Sequence, residues 1–92
     1  MTKRVAIRAS VTGRVQGVGF RAWTCAEAQA RGLDGWVRNE GDGSVAAVIA
    51  GPADRVAGMV RALWSGPPAA RVDAVQTDPL SEDVAAGFRI SR

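Results

Sequence analysis

Gly13-Arg14-Val15-Gln16-Gly17-Val18-Gly19-Phe20-Arg21 sets three glycines within seven residues and ends on an arginine where a helix should begin. Glycine lets the backbone turn tightly and come close to a ligand. A turn of that kind can aim several N–H groups into one concavity, the arrangement that holds phosphate and related anions. Arginine at its rim adds a planar, always-charged fork matched to phosphate oxygens. The amides of Gln16, Gly17, Val18, Gly19 and Phe20, together with Arg21, form a candidate oxyanion cradle. Taken alone, the segment also reads as a tight strand-to-helix connection, because a single Gly-rich loop is a weak signal.

A second group is Gly35-Trp36-Val37-Arg38-Asn39, followed by Gly43, Val45 and Gly51. On its own it describes a hairpin with turn glycines, and Asn39 reads as a turn or edge residue. Cys25 has no partner base in the sequence and reads as a small helix residue packing on a sheet. The chain has no histidine, which removes the commonest metal ligand and the commonest general base together. Glu40 and Asp42 lie in a turn, where a carboxylate pair would repel an anionic substrate.

The elements around these residues follow from patterning. Val5, Ile7, Ala9 and Val11 alternate with Arg8, Ser10 and Thr12, which predicts a first strand. The span 20–31 has no glycine or proline and four alanines, which predicts a helix ended by Gly32. Its packed face is either Trp23, Ala26 and Ala30 or Phe20, Thr24 and Ala28. A strand over 33–40, the turn Gly41-Asp42-Gly43 and a strand over 44–50 make a hairpin, with Trp36 and Arg38 on one face and Val37 and Asn39 on the other. Pro52 suits a helix start. Val56, Met59, Val60, Leu63 and Trp64 mark one amphipathic face, stopped by Gly66-Pro67-Pro68. A fourth strand is expected over 70–77, a polar loop over 78–86 and a short last strand over 87–91. The order β-α-β-β-α-β, with that extra strand, predicts an α+β ferredoxin-like sandwich with two helices on one face of an antiparallel sheet.

Ninety-two residues, 47% hydrophobic and 23% charged, are expected to make a single domain over 1–92. The net charge is +3, and of twelve basic residues only Lys3 is not arginine. These charges are scattered, with no basic tract for nucleic acid or anionic membrane. A lone cysteine permits no internal disulfide and points to a reducing, cytoplasmic setting. Met1-Thr2-Lys3-Arg4 leads into no secretory apolar run, and no segment is long and apolar enough to span a membrane.

Gly13 to Arg21 resembles the first signature of the acylphosphatases. Gly35-Trp36-Val37-Arg38-Asn39 through Gly43, Val45 and Gly51 resembles the second, and neither departs from the pattern. The resemblance covers nearly the whole chain, and two signatures at the right separation are far more specific than one loop. It implies hydrolysis of acyl phosphates to carboxylate and inorganic phosphate on the same β-α-β-β-α-β fold, with no metal or cofactor. It also implies that Arg21 and the loop amides hold the phosphate and that Asn39 orients the attacking water.

This chemistry is coherent from below. Carboxylate leaves without a strong general acid, and a phosphoryl group in transfer is stabilised mainly by positioning and charge. The expected partner is a small acyl phosphate, with no nucleic acid and no membrane, and the chain is expected to be a free-standing monomer. One rival is a module that binds acyl or carbamoyl phosphate without turnover; domains resembling acylphosphatase occur at the start of larger hydrogenase-maturation carbamoyltransferases. A second is a nucleic-acid-binding ferredoxin-like domain, for which the aromatic strand motif is missing.

Overall fold

Val5, Ile7, Ala9 and Val11 share one face of strand β1 (Arg4–Arg14), and Ala9 and Val11 on that face are fully buried. The computed structural model describes residues 3–91; Met1 and Thr2, the start of the charged N-terminal tetrapeptide, and Arg92 lie outside it. After β1 come α1 (Phe20–Ala30), β2 (Asp34–Asn39), β3 (Val45–Pro52), α2 (Ala53–Ser65), β4 (Arg71–Pro79) and β5 (Phe88–Ile90). The sheet order is β4-β1-β3-β2-β5. The first four strands pair antiparallel, with β1 and β3 at the centre. The core sits between this sheet and the helices, where Val11, Val37, Val45 and Ile49 meet Phe20, Met59 and Leu63.

β5 departs from the fully antiparallel expectation: it pairs parallel with β2, Val37 opposite Ile90. A parallel neighbour must be reached by a crossover. Here the 80–87 connection passes over the sheet face that carries no helix, and Leu80 N–H donates to the Ala6 carbonyl at 2.9 Å. That passage helps to explain why every residue of β3 from Val45 to Gly51 is buried. Val48 lies in a cross-strand row between Arg8 and Trp36. The guanidinium carbons of Arg8 and Arg38 stand 5.6 and 4.6 Å from the Trp36 ring centre.

The packed face of α1 is Phe20, Thr24 and Ala28. Trp23 lies beside it, half-buried, with its ring 5.5 Å from that of Phe20. In α2, Val56, Met59 and Leu63 are buried, whereas Trp64 is 51% exposed. At about 100° per residue the three buried positions fall within about 60° of arc, and Trp64 lies about 80° beyond Val56 on the outer side. The amphipathic stripe is wider than the seam that packs.

Candidate active site

The three glycines of the first motif do different work. Gly13 belongs to β1, where the pairing with β4 shifts register between Thr12 and Gly13. A Cβ there would run into the carbonyl oxygen of Arg71, so this glycine permits close strand packing. Gly17 and Gly19 instead form the loop, with φ of 74° and 78°. A Cβ on either would meet nothing within 4 Å. Their requirement is the left-handed backbone itself.

That backbone turns the loop amides away from any protein acceptor. Among the described residues, no N–H from Gln16 to Phe20 finds a partner. Gly19 caps α1 with its carbonyl, which accepts from Trp23 N–H at 3.0 Å, and no side chain caps this helix start. The first amides of a helix have no partner within the helix and carry its positive end. Arg21, in the first turn, forms no ion pair or hydrogen bond among the described residues. Donors and positive charge therefore gather in one place.

Asn39 closes the site from the other side. It is the last residue of β2, on the same face as the core residue Val37. Its Oδ1 is buried and has no hydrogen-bond partner in the protein. One cavity of about 240 Å³ is lined by Val15, Gly17, Gly19, Phe20, Arg21, Ala22, Asn39 and Ile90. Two larger cavities, of about 500 and 310 Å³, lie under the 80–85 segment on the helix-free side of the sheet. Neither is lined by the loop amides, Arg21 or Asn39, and chemistry rather than size selects the smaller one.

Gly17, Gly19, Phe20, Arg21 and Asn39 are thus brought together at one cavity. Gln16 and Val18 do not line the cavity. The Val18 side chain is half-buried against the core. Gln16 Nε2 donates to the carbonyls of Glu40 (2.8 Å) and Ser44 (2.9 Å). Its side chain therefore ties the loop to the hairpin that carries Asn39, a link with no signal in local sequence. Ala22, Val15 and Ile90 were not among the expected site residues. Val15 lies within the first motif and Ala22 adjoins it, but Ile90 arrives only through the parallel pairing of β5.

Other polar groups are engaged elsewhere. Glu40 Oε1 accepts from Arg8 at 3.1 Å and Arg38 at 3.4 Å. Asp42 Oδ1 accepts from Ser44 Oγ at 2.6 Å and Ser44 N–H at 2.9 Å. The Ser44 hydroxyl, then its amide, hold the Asp42 carboxyl below its ordinary value. Cys25 Sγ lies 3.6 Å from the Phe88 carbonyl oxygen and 3.5 Å from Gln29 Nε2. Among the described residues no three His, Cys, Asp or Glu side chains cluster as metal ligands, and no helix is long and apolar enough to cross a membrane.

Comparison with known proteins identifies a family and a fold for the chain. The family model described as Acylphosphatase matches residues 7–90. A protein of Rhizobium meliloti named Acylphosphatase is 55% identical, across the full chain and 99% of its own length. Among solved structures, an acylphosphatase from Coxiella burnetii superposes with a TM-score of 0.92 at 34% identity, over 96% of this chain and 93% of that one. An acylphosphatase from Bacillus subtilis gives 0.91 at 35% identity, over 96% and 99%.

Proposed function

The chain belongs to the acylphosphatase family and hydrolyses acyl phosphates, and from that premise we propose that Arg21 and the amides of Gln16 to Phe20 hold the phosphoryl group while Asn39 directs water at it. One observation carries the assignment. The loop with its unpaired amides, an arginine without a carboxylate partner and Asn39 border a single cavity, and the buried Asn39 amide oxygen has no partner in the protein.

In this mechanism the transferring group spreads negative charge over its oxygens, and fixed donors stabilise that charge without reorganising. Asn39 Oδ1 reaches the cavity by a half-turn about its terminal torsion, which is soft and roughly two-fold. There it accepts a hydrogen bond from water and points the water oxygen at phosphorus. The new P–O bond forms as the bond from phosphorus to the acyl oxygen breaks. The carboxylate leaves with the electron pair, and the water proton passes to a phosphate oxygen. No step is assigned to a protein base, a metal or a cofactor.

The chain acts as one domain over 1–92, a view supported by the single core cluster between sheet and helices. A cytoplasmic monomer acting on a small molecule, with no nucleic-acid partner, is consistent with the lone Cys25 and the scattered arginines.

Turnover of an aryl acyl phosphate tests the roles. Arg21→Ala should lose substrate affinity and rate together, by about 10²–10³ in kcat. Asn39→Ala should lose mainly kcat while the protein stays as stable, because the substitution removes a buried acceptor that has no partner. If both variants kept wild-type kinetics, or a protein base titrated near neutrality in the pH–rate profile, the assignment would be wrong.

A further inference from the structure

We propose that Ile90, with Ala22, forms an apolar subsite for the acyl portion of the substrate, so that the enzyme prefers large apolar acyl groups to acetyl. The proposal rests on the reading of Arg21 and the loop as the phosphate cradle. Its first support is space. The cavity holds about 240 Å³, about eight times the ~30 Å³ that one water takes up in the liquid. A phosphoryl group and one attacking water leave part of it over.

The second support is the division of the lining. Loop amides, Arg21 and Asn39 supply the polar part; Ala22 and Ile90 supply an exposed apolar part, with no carboxylate among the lining residues. Among the described residues, two large apolar side chains are exposed, Trp64 and Ile90, and only Ile90, at 44%, borders this cavity.

The third support is how Ile90 comes to be there. Residues two apart on a strand share a face, so Ile90 lies on the same side as Phe88, which is buried in the core. Ile90 stands opposite Val37 in the parallel pairing, two residues from Asn39. Asp34 fixes the approach to β5, its Oδ1 accepting from Gly87 N–H at 2.9 Å. An isoleucine held at the edge of a polar site, on a strand anchored at both its ends, gives an apolar group something to pack against. Apolar contact in a substrate pocket discriminates by about tenfold or more per small group.

The test compares acetyl phosphate with benzoyl phosphate as substrates of wild type, Ile90→Ser, Ile90→Leu and Arg21→Ala. With Ile90→Ser, kcat/KM for benzoyl phosphate should fall about tenfold, carried by KM. The value for acetyl phosphate should stay within about twofold of wild type, and inhibition by inorganic phosphate should be unchanged. Ile90→Leu, which keeps the apolar surface, should restore benzoyl phosphate turnover. An equal fall for both substrates, or no fall for either, overturns the subsite. Arg21→Ala reports on the cradle separately, since it must weaken both substrates and inorganic phosphate whatever Ile90 does.

Discussion

Replacing Gln16 by alanine tests the physical link between the glycine loop and the hairpin that presents Asn39. Gln16 Nε2 makes two hydrogen bonds, of 2.8 and 2.9 Å, to the Glu40 and Ser44 carbonyls. A neutral hydrogen bond contributes about 0.5–1.5 kcal/mol net, so the pair is worth about 1–3 kcal/mol. The deleted donor leaves no orphan behind. Glu40 O still accepts from Gly43 N–H at 3.2 Å, and Ser44 O from Glu40 N–H at 2.8 Å, so no further desolvation cost is added. For a domain of this size each kcal/mol moves Tm by about 4–8 °C, which predicts a drop of about 4–24 °C.

Urea unfolding followed by tryptophan fluorescence measures the stability, and turnover of an aryl acyl phosphate measures the consequence. Loosening the loop against Asn39 should lower kcat by about tenfold, since small misplacements of positioned groups are costly. Gln16→Glu sharpens the test. Its carboxylate would face two carbonyl oxygens, which raises its folded-state pKa above the ordinary value of about 4.3. A raised pKa means stability present at low pH and lost as pH rises. Gln16→Glu should therefore be the weaker variant at pH 7 and recover on acidification. A stability loss under about 0.5 kcal/mol for Gln16→Ala, the range of an unremarkable surface change, would refute the reasoning.

Three further substitutions have definite expected outcomes. Gly19→Ala meets open space and should cost only left-handed backbone strain, about 1–2 kcal/mol, while phosphate inhibition weakens. Gly13→Ala adds a collision with the Arg71 carbonyl and should cost about 2–5 kcal/mol in chemical denaturation. The Asp34 carboxyl lies below its ordinary pKa because Gly87 N–H, and then the Arg4 side chain at 2.9 Å, bond to its charged form. A lowered pKa gives stability that is present above the unfolded value of about 3.9 and lost as pH falls below it. Asp34→Asn should therefore be less stable than wild type at pH 7, and the gap should close below about pH 4 in denaturation curves.

Much of the candidate site is legible because its requirements are local. Gly17 and Gly19 supply a backbone that few other residues adopt, Arg21 opens a helix, and Asn39 ends a strand whose alternating pattern puts it on the core side with Val37. Adjacent residues set these features through φ, helix propensity and strand alternation, so one stretch of sequence is enough to state them. The two alternating faces of β2 read correctly for the same reason.

The tertiary structure decided what depends on residues far apart in the chain. Gly13 looked like a member of the loop, yet its conformation answers to β4, 58 positions on at Arg71. Gln16 reaches carbonyls 24 and 28 residues away, and local sequence offers no reason for its side chain to turn toward the hairpin. The two possible faces of α1 differ by less than a turn, and only contact with the sheet selects Phe20, Thr24 and Ala28. Ile90 reaches the cavity because the 80–87 connection crosses the open face of the sheet and lets β5 pair parallel with β2. By itself the sequence placed the glycine loop, Arg21 and Asn39 at the ends of strands and at a helix start, and its resemblance to the acylphosphatases marked them as candidates. Packing determined how rigidly they are held and which apolar surface lies beside them, since those depend on surfaces that form only when distant segments close together.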